Sequence, residues 1–278
     1  MSKKQTRSRK KAILFYSLIG FFALVFLGSG IYVGSYFIRS RQNNSLNKEL
    51  ANMQASAPSE VDVSQLPTAP VTPDTPTDPV TGEPVVTYMQ PDYAQFYLMN
   101  SDMVGWIRIP GTVINYPVVQ PSKEDPDFYL THNFKREYTQ WGAIYADANC
   151  NIYTPSDNVV IYGHHMGDGS MFASLMKYED YNFWKEHPTI QFDTVYGRYT
   201  YRIFAVFVTS ADPSVGIPYH LFVDAKYGQD FDELVDRAIS ESFYSTGIAP
   251  RYGSKIISLS TCEYSIPDGR LVVMAVRE

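Results

Sequence analysis

Lys255-Ile256-Ile257-Ser258-Leu259-Ser260-Thr261-Cys262 is followed by Pro267-Asp268-Gly269-Arg270 and then by Leu271-Val272-Val273-Met274-Ala275-Val276. Two apolar, partly β-branched runs on either side of a Pro/Gly turn read as two strands, over 255–261 and 271–276. The pattern extends upstream. Gly105–Ile109, Val113–Val119, Gly142–Ala146, Val159–Tyr162, Thr189–Phe192 and Tyr199–Thr209 are further strand-like runs between turn residues. Helical spacing is confined to short pieces. These are Pro91–Met99, Ser170–Tyr181 with Met171, Leu175 and Tyr178 on one stripe, and the run Phe231, Leu234, Val235, Ala238, Ile239, Phe243, for which Asp230 is the expected cap. Many strands and few helices point to a mainly β barrel or sandwich.

The ends of these strands carry chemistry. Cys262 closes one run, Tyr162-Gly163-His164 closes another, and Arg270 opens a third. A thiol, an imidazole and a guanidinium suffice for acyl transfer through a thioester. The order His, Cys, Arg excludes a papain-like arrangement, in which Cys precedes His. Cys150 is the second cysteine. A disulfide to it would silence a nucleophilic Cys262, so both are expected to be free, with Cys150 a small buried residue. His132 and His187 read as structural histidines. No Cys/His ligand spacing and no Gly-rich phosphate loop is present, so no metal or other cofactor is expected. Asp230, Asp232, Glu233 and Asp236 read as a solvated acidic helix face.

Ser258-Leu259-Ser260-Thr261-Cys262 resembles the TLxTC signature of the sortases, with Ser258 in place of the first Thr. VVIYGHHMGDGSMFASLMKY at 159–178, DMVGWIRIPGTVINYPVVQ at 102–120 and FYLTHNF at 128–134 are similar to class B members, in family order over roughly 91–278. The resemblance implies an eight-stranded sortase-type β-barrel with peripheral helices, the insertion before the Cys strand being the class B feature. It implies Cys262 as nucleophile, His164 rather than the adjacent His165 as acid/base, and Arg270 as oxyanion donor; on spacing alone Arg270 is a turn arginine. Ser260, Glu263 and Tyr162 are implied substrate contacts, with the Glu263 N–H as a further oxyanion donor. The implied partners are sorting-signal peptides of surface proteins, NPxTN-like or PxTG-like and cut after Thr, and an amine of a peptidoglycan precursor. Two other readings are a non-catalytic anchored peptide-binding module and another wall-active cysteine enzyme; the Ser-x-Gly-Cys motif of L,D-transpeptidases is absent.

The net charge of −6 is unevenly spread. Eight Lys/Arg and no acidic residue precede position 42, leaving 15 basic against 29 acidic residues in the rest. So acidic a domain argues against nucleic acid as a partner. Residues 1–11 form a basic tail, and Ala12–Ile38 is uncharged and longer than the ~20 residues that span a bilayer. With six basic residues before the span and two just after it, the N-terminus is expected inside and the catalytic domain outside. Apolar residues continuing past Gly28-Ser29-Gly30 favour an uncleaved anchor over a cleavable signal peptide. Residues 39–90 then read as a stalk, with some helical character over 43–57 (Leu46, Leu50, Met53), and a Pro/Thr-rich linker whose stretch 58–86 is extended at up to ~3.1 Å per residue, and 91–278 as the catalytic domain. Asp78-Pro79-Val80-Thr81-Gly82 in the linker matches a PxTG signal, most simply by chance.

Overall fold

The computed structural model describes residues 3–58, 60–72, 75–79 and 81–278, with side chains described from residue 14. The chain divides into two units, Met1–Ser45 and Leu46–Glu278. Helix α1 covers Lys3–Ala55. Its part from Leu14 to Ile38 presents exposed apolar side chains, and it is the one helix among the described residues long and apolar enough to cross a membrane.

The second unit is a closed eight-stranded barrel. Its strands are β1 (Met103–Arg108), β2 (Asn115–Val119), β3 (Ile144–Ala146), β4 (Asn158–Tyr162), β5 (Thr189–Thr194), β6 (Thr200–Ser210), β7 (Ile256–Cys262) and β8 (Gly269–Arg277). Around the barrel the order is β1-β2-β3-β4-β7-β8-β6-β5. Only β2–β3 and β4–β7 are parallel; every other pair is antiparallel, and β1–β5 closes the ring. β5 alternates, burying Ile190, Phe192 and Thr194, as a strand with one wet face must. β7 and β8 are buried almost throughout, which explains why the deciding stretch reads as continuous apolar runs.

Short helices cover the barrel. α2 (Pro91–Met99) starts on a proline, whose missing N–H costs nothing there, and buries Tyr93 and Phe96 against Trp106. α4 (Gly228–Glu241) packs Phe231, Leu234, Val235 and Ala238 inward, against β6. Asp230 is its third residue rather than its cap: the carboxylate reaches back to accept from the Tyr227 N–H at 3.0 Å. Phe243 falls beyond the helix and is half exposed.

Two longer segments also depart from expectation. Ser170–Tyr181 is not one helix. The Asp168 carboxylate accepts from the Ser170 N–H and hydroxyl, and Met171 sits at φ 56°. Helical winding therefore starts only at Ala173, as a 3₁₀ segment to Glu179. Asp180 then caps a separate helix, α3 (Tyr181–Glu186), accepting from the Asn182 N–H at 2.8 Å. The stripe itself holds, since Met171, Leu175 and Tyr178 are all buried.

The linker is the second. Residues 46–90 belong to the compact unit, where Leu50 is fully buried with Met89, Tyr93 and Phe96 and Leu66 packs against the same cluster. The Pro-rich stretch doubles back instead of extending. Thr77 pairs antiparallel with Pro84, Val85 N–H donates to Pro76 O, and Ala69 N–H to Thr87 O. Proline forbids helix but leaves intervening N–H groups free to pair. In the PxTG-like segment the Asp78 carboxylate accepts from the Thr81 N–H and the Asp78 carbonyl from the Gly82 N–H, each at 2.8 Å; Val80 lies outside the described residues.

One buried polar network ties the loop 211–227 to the barrel. Asn158, fully buried on β4, donates to Tyr219 O and Phe222 O and accepts from the Ser258 hydroxyl on β7. Asn158→Ala strands two buried partners, Tyr219 O and the Ser258 hydroxyl, and the part-buried Phe222 O. A loss of about 3 kcal/mol is expected, seen as a lower Tm and earlier proteolysis within 211–227.

Candidate active site

Period-two alternation puts Ser258, Ser260 and Cys262 on one face of β7. The loop 211–227 covers that face with polar groups, which explains its small polar residues. Ser258 bonds Asn158, and the buried Ser260 hydroxyl pairs with the Tyr219 hydroxyl at 2.7 Å. The cover ends at Cys262, which is half-buried and opens into a cleft of about 310 Å³. His164 and Arg270 line the same cleft, as do Tyr145, Asp147, Tyr162, Tyr219 and His220.

Each of the three side chains expected to react is placed by a strand end. Cys262 and Arg270 are Cα partners across the β7–β8 pair, the last residue of one strand facing the second of the next. Arg270 Nη1 is held by the carbonyls of Gly269 at 2.8 Å and Asp268 at 3.3 Å. His164 follows β4, which runs parallel beside β7. Gly163 makes this exit possible: a Cβ there would lie 2.5 Å from Ile144 Cδ1 and 2.7 Å from the Phe172 ring. His164 Nε2 lies 2.8 Å from the Leu130 carbonyl. A carbonyl only accepts, so Nε2 carries a proton and Nδ1 is left for proton exchange.

The two cysteines differ in chemistry. Burial pushes the Cys150 thiol up to about 12, only partly offset by the Val160 N–H. Cys150 therefore stays a protonated core thiol, donating to Asn158 O at 3.6 Å.

The far wall is aromatic and acidic. Tyr162 donates to Asp147 at 3.1 Å; burial, then the Asp147 charge, pushes its phenol far up. Burial, then Asp127 and Asp147, also raise Tyr145, while Arg270 acts the other way. Burial lowers His220, and its Nδ1 has no hydrogen-bond partner among the described residues.

Glu263 departs from expectation. Its N–H, the expected oxyanion donor, is spent on Gly269 O at 2.9 Å as the β7–β8 pairing turns over. Its carboxylate accepts from the Ser265 N–H and hydroxyl. Ser260 and Tyr162 do line the cleft. The acidic residues of α4 take local partners: Asp236 pairs with Arg251 and Asp232 accepts from the Tyr252 N–H. Among the described residues no group of three His, Cys, Asp or Glu is placed to hold a metal.

The Sortase domain family matches residues 107–278, the whole barrel after the start of β1. The chain belongs to the sortase family. It is 38% identical over 178 residues to sortase B of Listeria monocytogenes, an alignment covering 63% of this chain and 69% of that one. Sortase B of Bacillus anthracis superposes with a TM-score of 0.69 at 28% identity, covering 87% of this chain and 98% of the other. A Staphylococcus aureus sortase B–substrate complex gives 0.68 at 26%, with the same coverage. This sortase is accordingly a class B cysteine transpeptidase on the eight-stranded barrel. Sequence reasoning missed the Leu130 carbonyl, Tyr145, Asp147 and His220 around its cleft. A main-chain acceptor has no residue signature, and the other three lie outside the quoted motif positions assigned a role.

Proposed function

We propose that this sortase is anchored by α1 with its N-terminus inside, that its barrel works outside the cell membrane, and that it joins surface proteins to the cell wall. The observation that carries the chemical part is the facing of Cys262 and Arg270 at a cleft that His164 also lines. The thiol proton passes to His164, and the Cys262 sulfur attacks the carbonyl carbon of a Thr in the sorting signal. Arg270 donates to the oxyanion as it forms. The Thr C–N bond breaks, and imidazolium gives its proton to the leaving amine. A thioester to Cys262 remains. An incoming amine attacks it and loses a proton to His164, the new amide forms, and the sulfur leaves. Ser260 and Tyr162 contact the signal from the cleft wall; Glu263 contributes no main-chain donor while its N–H is bonded to Gly269.

The length and composition of α1 and the charge balance about it support the anchor. The acceptor is an amine of a peptidoglycan precursor, and the donors are NPxTN-like or PxTG-like signals. A panel of NPxTN, LPxTG and PxTG peptides, with product masses followed with and without triglycine or diaminopimelate-type amines, tests this. Cleavage after Thr, with amine-dependent ligation, is expected for at least one signal. Cleavage elsewhere, or none across the panel, contradicts the reading.

A further inference from the structure

Beside the reacting groups stands a second histidine. His165 Nδ1 lies 3.0 Å from the carbonyl oxygen of Cys262 itself. The sheet explains why that oxygen needs a partner. β4 and β7 run parallel, with Tyr162 opposite Ser260. The last ladder bond between them is Gly163 N–H to Ser260 O, at 3.1 Å. Carbonyls on one edge of a strand recur every second residue, so the next one facing β4 belongs to Cys262. In a continued parallel ladder its donor would be the His165 main-chain N–H. The chain has left the sheet by then: the His164 carbonyl accepts from Phe172 N–H, and the His165 backbone pairs with Met171. The His165 ring stands in for its own amide.

We propose that His165 is a positioning residue for the nucleophile, its Nδ1–H completing the interrupted β4–β7 ladder at Cys262 and fixing the sulfur relative to His164. The bond joins the residue after the acid/base to the nucleophile's own main chain, so it sets the distance between the two reacting side chains. The ring also stacks on Tyr264, with centroids 5.7 Å apart and planes at 27°. His164 is pinned separately, on Leu130. Consecutive histidines thus have divided duties: one exchanges protons, the other holds the strand end.

Two substitutions separate the bond from the ring. His165→Phe keeps the stack on Tyr264 and removes the donor. His165→Asn removes the ring but places an amide N–H donor where Nδ1 stood. In the full-length chain, using whichever NPxTN, LPxTG or PxTG peptide the unmodified protein cleaves fastest, His165→Phe is expected to lower kcat about 10-fold with KM unchanged, as for a small misalignment of reacting atoms. His165→Asn is expected to recover most of it. Hydrogen exchange in peptides spanning 259–264 should quicken about 10-fold in the Phe variant and return towards normal in the Asn variant, with Tm unmoved in both. Because this rests on Cys262 being the nucleophile, exchange serves as a readout needing no turnover: a protein that cleaves nothing yet shows the exchange pattern refutes the function and keeps the clamp. Unchanged kcat and exchange in His165→Phe overturn the proposal. So does a loss that His165→Asn fails to recover, or one that follows Tm.

Discussion

Cys262→Ala is expected to abolish peptide cleavage, with a fall of about 10⁴-fold or more, and to leave no acyl-enzyme on the protein. The fold should survive. Cys262 is half-buried at the last position of β7, and among the described residues no hydrogen bond of its sulfur supports the barrel. Cys150→Ala makes the informative contrast. That thiol is pushed up to about 12 by burial and bonded within the core, so activity should persist while Tm falls slightly for lost packing. Measured together, turnover and Tm assign reactivity to one sulfur and packing to the other. Full turnover in the Cys262→Ala protein would refute the nucleophile.

Arg270→Ala is expected to lower kcat by about 10²- to 10³-fold, the usual loss of a preorganised oxyanion donor. Arg270 faces Cys262 across the β7–β8 pair, and its Nη1 bonds to Gly269 O and Asp268 O hold the guanidinium in place. Arg270→Lys keeps the charge and loses the planar fork, so it should recover only part of the rate. A purely structural arginine would show the opposite ranking, with Tm falling and kcat nearly intact. Kinetics and thermal melts on the two variants separate these outcomes.

The barrel was legible because its strands are hydrophobic runs cut by Pro/Gly turns, and because β7 and β8, buried on both faces, announce themselves as continuous apolar segments. Strand ends draw attention to Cys262, His164 and Arg270, but the choice of His164 over His165, and of Arg270 as more than a turn arginine, comes from the resemblance to the sortases. What escaped was decided by main-chain partners. Glu263 could be named as an oxyanion donor from its place after Cys262, yet its N–H belongs to the strand turn. The Leu130 carbonyl that orients His164, and the Cys262 carbonyl that holds His165, have no side-chain signature at all. The linker shows the same limit: prolines ruled out helix correctly, but pairing between Thr77 and Pro84 depends on chain reversal that composition does not encode. Helix α1 outran its apolar stretch because Leu46, Leu50 and Met53 continue its helical spacing into the apolar cluster of the second unit.

The most direct test is to incubate the full-length chain with the signal peptide it cleaves, quench in acid, digest, and locate the added acyl mass by tandem mass spectrometry. The mass of the signal up to Thr, carried by the peptide containing Cys262 and discharged on adding an amine, is the predicted result. Acyl mass on Cys150, or turnover with no thioester on either cysteine, would contradict it.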